Sequence, residues 1–225
     1  MKENLIFRTK KFIRHLPFFE KVRRIIQLKV RKKSNNQIFK TLEKNTYPYS
    51  KNIMKVLKNL EDGPHIDEKD LIQKIEKERN KLLKNYDLLI AEFEDYSITN
   101  DEDITIKRAC EASKDSHRAF LLYSLTRILK PKNVIELGTN VGISSAYIAT
   151  ALKVNGKDSS FITLDLSPNR LNIAKKVHDK LDLKNISYVE GYFSDTLNST
   201  LESLKQVDLV FLDGHHKYEP TLDYF

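Results

Sequence analysis

Apolar residues change their spacing along this chain, and each change predicts a different kind of element. Up to residue 30 they come in small groups between Lys and Arg. Phe12, Leu16 and Phe19 can share one helical face, and Val22, Ile25 and Ile26 another, with Pro17 breaking the run. This predicts two short basic amphipathic helices over 4–30, followed by a linker at "RKKSNN". Residues 36–60 predict helix with a break at "TYPYS", and "EDGPH" at 61–65 predicts a turn. Ile66–Phe93 reads as a charged helix with Leu71, Ile75, Leu82 and Leu83 on its apolar side. "EDYSITNDED" predicts a loop, and Ile104–Leu129 a further helix that ends before Pro131.

Beyond Pro131 the pattern switches to short continuous apolar runs at 133–137, 161–166, 186–190 and 207–212. Helical patterns at 143–154, 168–181 and 196–204 separate them. Alternation of this kind predicts βαβ units and a parallel sheet. The fold class is therefore α/β: a parallel sheet preceded by an α-helical N-terminal extension. The predicted organisation is a basic arm over 1–35, a helical extension over 36–105 and the parallel-sheet domain over 106–225. A sheet ending at the fourth strand leaves an apolar edge, so the preferred expectation is a fragment, with a partner chain or the N-terminal helices as alternative covers.

The first strand, turn and helix of that domain, "VIELGTNVGISSAYIATAL" at 134–152, carry the candidate chemistry. Ligands of open parallel sheets bind beyond the carboxyl ends of the strands. Glu136 lies at such an end, with Gly138 and Gly142 in the turn that follows. A dinucleotide fingerprint, G-x-G-x-x-G, would need glycine where Asn140 and Ile143 stand. A carboxylate beside a phosphate would also repel it. The acid suits a ligand with a cationic group and no phosphate.

The spacing E-x-G-x-x-x-G, the acid closing "FITLDLS" (Asp165) and the segment "VDLVFLDGHHKYE" together resemble the class I S-adenosylmethionine-dependent methyltransferases. The closest group is the O-methyltransferases that include catechol O-methyltransferase-like enzymes and relatives with a D-G-x-H-x-Y motif. The resemblance covers about residues 106–225 and implies a Rossmann-like parallel sheet, truncated after its fourth strand where the family usually has seven. It implies methyl transfer from S-adenosylmethionine to a hydroxyl of a small-molecule acceptor, such as a sugar, lipid or secondary metabolite.

By that resemblance Gly138 lies against the cofactor, Ser144 bonds its carboxylate, Glu136 supports its methionine end and Asp165 accepts both ribose hydroxyls. "VEGYFSDTL" borders the adenine. Tyr192 stands where many relatives carry an acid, so Phe193 or Ser194 is expected to cover the ring. At the fourth strand His216 is the candidate base, since an unperturbed imidazole near pKa 6.5 suits that task. Asp213 is a metal ligand or an orienting carboxylate. A divalent cation such as Mg²⁺ would need further oxygen ligands, which metal-dependent relatives draw from a fifth strand.

Simpler roles stand beside these. Glu136 could serve only a helix dipole, Asp165 could cap the next helix, Ser144 could be a plain first-turn residue, and Phe193 could be core. His15, His65, His117 and His178 read as ordinary polar-face residues, and Tyr218 as packing.

Charge separates the arm from the domain. The chain carries 39 Lys+Arg against 31 Asp+Glu, a net of +8. Through Lys33 there are 12 basic residues against Glu3 and Glu20, a net of +10, which leaves −2 for the rest. A fold-wide nucleic-acid surface is therefore not expected. The arm over 1–33 could pack on the domain or attach to an anionic membrane surface. That second possibility gives the competing reading, a non-catalytic Rossmann-like scaffold docked to a membrane or partner. No apolar run approaches the roughly 20 residues that span a bilayer. Cys110 is the sole cysteine, which excludes an internal disulfide. A cytoplasmic location is expected, peripheral to the membrane if the arm docks there, with homo-oligomers open.

Overall fold

The computed structural model of the chain describes residues 36–89, 104–156 and 158–214. The basic arm, His215, His216 and the residues after them lie outside the described residues. The chain divides into two compact units, residues 1–54 and 55–225. Residues 36–43 are helical, and α1 spans Ser50–Asp62.

After a 3₁₀ turn at Ile66–Glu68, α2 runs Lys69–Leu82 and stops well short of Phe93. Its end tightens into i→i+3 bonds, Lys84 N–H to Lys81 O at 3.1 Å and Asn85 N–H to Leu82 O at 3.0 Å. The Asn85 side chain then accepts the Asp87 N–H at 2.8 Å, an Asx turn that diverts the backbone from helix. The chain continues as a two-residue strand, β1 (Leu88–Leu89), antiparallel to β2 (Ile104–Thr105). The helix expected over 104–129 is two helices, α3 (Ile106–Glu111) and α4 (Ser116–Leu129). Each has its own cap: Thr105 accepts the Arg108 N–H and Asp115 accepts the Arg118 N–H. A second cap inside an apolar run starts a second helix.

The strands of the main sheet follow as β3 (Asn133–Leu137), β4 (Ser160–Asp165), β5 (Ser187–Glu190) and β6 (Leu209–Leu212). Between them lie α5 (Ile143–Asn155), α6 (Pro168–Lys180) and α7 (Phe193–Leu204). All pairings are parallel, in the spatial order β5-β4-β3-β6. The chain winds outward from β3 through β4 to β5, then returns to the other side of β3. The expected Rossmann-like α/β sheet is therefore present, and the winding reverses between β3 and β6. In such sheets the ligand crevice opens at that reversal, beyond the strand ends.

Side-chain alternation divides the core. Val134 and Phe161 point into the larger cluster, with α5 and with Phe120 and Tyr123 of α4. Ile135, Leu137, Ile162 and Leu164 point to the other face, against Leu197 of α7. Helix α5 is buried along residues 143–152, which accounts for its Ala and Ser content: small side chains let neighbours approach on all sides. Each fully buried Leu or Ile of β3 and β4 contributes about 2 kcal/mol by leaving water. On β6, Val210 is 48 % exposed on the α7 face.

Candidate functional site

The period-two rule places Glu136 on the same face as Val134, under α5, one residue before the tip of β3. It is fully buried. Its Oε2 accepts the Ser145 hydroxyl and, at 2.7 Å, the Thr163 hydroxyl from the paired position on β4. Thr139 and Thr163 share a hydroxyl hydrogen bond of 2.6 Å, extending the network into the turn. Among the described residues Oε1 has no hydrogen-bond partner of normal geometry. Burial pushes the carboxyl up to about 7, against the opposing pull of the Ser144, Ser145 and Thr163 hydroxyls. Glu136 therefore anchors the first turn of α5 from beneath.

The turn from β3 to α5 is built by backbone geometry. Gly138 has φ +103, and a Cβ there would lie 2.7 Å from the Asp213 carbonyl oxygen. Only a residue without a side chain lets the ends of β3 and β6 approach this closely. Gly142 has φ +83, and a Cβ there would meet Ala174 Cα of α6 at 2.8 Å. As the residue capping α5, Gly142 offers no side chain to the first N–H groups, so among the described residues that helix N-terminus has no side-chain cap. Ser144 lies in this first turn, 6 % exposed.

At the tip of β4, Asp165 is 5 % exposed. Its Oδ2 accepts the Asn140 N–H at 2.7 Å and its Oδ1 accepts the Ser167 N–H at 3.0 Å. Ser167, not Asp165, caps α6, accepting the Arg170 N–H. Asp165 thus ties the glycine turn to β4, and each of its oxygens retains a lone pair for another donor.

Phe193 opens α7, its ring packed over Gly214: a Cβ on Gly214 would lie 2.6 Å from Phe193 Cε2. The ring also joins the core cluster of Leu137 and Leu164. Ser194 is exposed and donates to Asp195 Oδ1 at 2.8 Å. Asp195 places an acid in the first turn of α7, three residues beyond Tyr192.

Asp213 follows β6, its N–H bonded to Leu137 O at 2.8 Å. Its Oδ1 forms an ion pair with Lys114 Nζ at 2.5 Å. The structure thus gathers Glu136, Gly138, Gly142, Ser144, Asp165, Phe193 and Asp213 at the carboxyl edge of the sheet. His216 lies outside the described residues.

Three contributors escaped the sequence reading. Asn140 adopts φ +48, and its Nδ2 donates to Ala109 O at 2.8 Å, binding α3 to the turn. Asn in a Gly-flanked turn is a recognised signal for that conformation. Lys114 has no local signature. His178, expected on a polar face, is fully buried. Its Nε2–H donates to Gly142 O at 2.8 Å, and its Nδ1 accepts the Tyr188 hydroxyl at 2.7 Å. A carbonyl can only accept, which fixes this tautomer. Burial lowers His178 to about 4, so the ring is neutral at pH 7.

Glu136 and His178 tilt stability with pH in opposite senses. His178 falls from its ordinary 6.5 to about 4, so between those values the unfolded chain binds more protons and stability rises with pH. Glu136 rises from 4.5 to about 7, so the folded chain binds more protons across that window and stability falls as pH rises. Each effect amounts to about 3 kcal/mol, and they offset each other between about pH 4.5 and 6.5. Urea midpoints of the native protein should vary little there. Glu136→Gln should expose the His178 slope, with stability climbing from pH 4.5 to 6.5. A flat profile in the variant would contradict the assignment.

Residues 135–225 match the family described as a methyltransferase domain. A catechol O-methyltransferase of Niastella koreensis is 31 % identical over 106 residues, covering 46 % of this chain and 46 % of that protein. The chain thus spans about half the length of the curated relatives it matches. Among solved structures, a Bacillus cereus O-methyltransferase in complex with S-adenosylhomocysteine is 22 % identical, with a TM-score of 0.45. The match covers 50 % of this chain and 51 % of that one. An O-methyltransferase of tomaymycin synthesis from Streptomyces achromogenes, in complex with S-adenosylmethionine, is 22 % identical with a TM-score of 0.41. That match covers 52 % of this chain and 56 % of the other.

Proposed function

We propose that this chain, whose residues 135–225 match the family described as a methyltransferase domain, binds S-adenosylmethionine in the crevice between β3 and β6 and serves methyl transfer to a hydroxyl oxygen of a small molecule. One observation carries the reading: among the described residues, a helix N-terminus without a side-chain cap and a nearly buried acid stand side by side at neighbouring strand tips. The N-terminus of α5 suits a carboxylate, and Asp165 suits a diol. A molecule bearing both an amino-acid end and a ribose satisfies both.

The residues fit that donor. The first turn of α5, with Ser144, would hold its carboxylate, and Asp165 its ribose hydroxyls. Glu136 would act from below, holding Ser145 and so supporting the turn at the donor's methionine end. Phe193 and Ser194 would border the adenine. When bound, the donor supplies an electrophilic methyl group on a sulfonium sulfur. The protein must then present an acceptor oxygen in line and take up its proton. His216 is the proposed base, and Asp213 orients the acceptor side.

A divalent cation fits less well. Among the described residues no three His, Cys, Asp or Glu side chains converge to hold one, and the Asp213 carboxylate already pairs with an ammonium.

The relative named as a catechol O-methyltransferase suggests a vicinal diol as the first acceptor to try, ahead of sugars and lipids. The test is incubation of the chain with methyl-labelled S-adenosylmethionine and 3,4-dihydroxybenzoate, followed by a panel of sugar and lipid hydroxyls. Label in an O-methyl product is expected. Label recovered only in N-methyl products, or no transfer to any acceptor, would contradict the reading.

A further inference from the structure

We propose that Lys114 is the positioning cation of the acceptor site: it holds Asp213 at the reversal of the sheet and counters the negative charge that develops on the acceptor oxygen, without a divalent metal. The inference rests on the methyl-transfer reading and adds to it a residue from outside the matched segment.

The connection between α3 and α4 is fixed on both sides of Lys114. Its carbonyl accepts Arg79 Nη1 at 2.6 Å. Arg79 comes from α2, is buried, and is held by Glu76 Oε1 at 2.9 Å; Glu76 in turn accepts the Tyr147 hydroxyl of α5 at 2.7 Å. Just before Lys114, Ser113 lies 3.4 Å from the Asn140 amide of the glycine turn. Just after it, Asp115 caps α4. The backbone at Lys114 is thereby fixed at the carboxyl edge of the sheet, and from it the side chain reaches the carboxylate beyond β6. Its Nζ carries three donors, so pairing with Asp213 Oδ1 leaves others for a ligand oxygen. The Lys114 side chain keeps 29 % of its surface exposed, so the ion pair does not seal it from a ligand.

Methyl transfer to a hydroxyl forms an O–CH₃ bond as the S–CH₃ bond breaks, and the bonding pair stays on sulfur. The hydroxyl proton must leave to a base, so negative charge passes through the acceptor oxygen. A fixed ammonium next to that oxygen stabilises the charge as it forms. Lys114 thereby gives the helical segment before the sheet a part in the chemistry, beyond covering the core.

The test uses the full 225-residue chain and 4-nitrocatechol, whose visible absorption reports its ionisation. Saturation with S-adenosylhomocysteine is first measured by calorimetry; failure at that step would count against the methyl-donor reading by itself, whatever Lys114 does. The saturated protein is then titrated with 4-nitrocatechol in EDTA. Bound ligand is expected to ionise about one pH unit lower than free ligand. Lys114→Met should abolish that shift, and Lys114→Arg should keep most of it, while both retain S-adenosylhomocysteine affinity within about threefold. The proposal is overturned if the native protein shows no shift, if the shift needs added Mg²⁺, or if it survives in Lys114→Met.

Discussion

Asp165→Ala should weaken S-adenosylhomocysteine binding about 100-fold or more. A hydrogen bond to a charged group contributes about 1.5–3 kcal/mol, and two ribose hydroxyls would share this carboxylate. The lower bound of about 3 kcal/mol corresponds to about two decades of affinity. The same side chain accepts the Asn140 and Ser167 N–H groups, so the alanine variant also loosens the turn. Asp165→Asn separates the two effects, because its amide oxygen keeps one of those acceptors. It should remain folded with a small loss in melting temperature and still bind at least about tenfold more weakly, since the charge is gone. Calorimetric titration reads the affinities and thermal denaturation the folds. Unchanged affinity in the asparagine variant would remove Asp165 from the ligand site.

The second large effect is on the fold. Gly142→Ala should cost about 3 kcal/mol or more. The left-handed backbone alone costs a side-chain-bearing residue about 1–2 kcal/mol, here at φ +83. The added Cβ would also lie 2.7–2.8 Å from Ala174 Cβ, Ala174 Cα and His178 Nε2. Backbone on α6 cannot step aside as a flexible side chain could, so α6 must move from the turn. That movement would stretch the His178 bond to Gly142 O and leave a buried imidazole nitrogen without its acceptor. Urea denaturation should show the loss as a lower midpoint. A change below about 1 kcal/mol would mean that α6 is not packed against this turn.

The centre of the sheet was legible because β3 and β4 are buried on both faces and so appear as nearly continuous apolar runs. Glu136, Gly138, Gly142 and Asp165 could be singled out because a strand tip and its turn lie within a few residues of one another. The packing added what spacing cannot carry. Glu136 reads as a ligand-facing acid by position, yet period-two alternation turns it under α5 to Ser145 and Thr163. His178 looked like a surface residue because α6 is charged around it, but Gly142, far off in sequence, opens the space for its ring. Lys114 and Asp213 meet across roughly a hundred residues, and no local pattern encodes such a pair. The break inside 104–129 was visible as Ser113 to Ser116 with Asp115, a capping signal outweighed by the apolar residues on either side.

The most direct measurement is calorimetry of the native chain with S-adenosylhomocysteine, repeated in the presence of excess NAD⁺. A saturable one-to-one isotherm that NAD⁺ leaves unchanged is the predicted result. No heat with the homocysteine ligand, or displacement by the dinucleotide, would contradict the account.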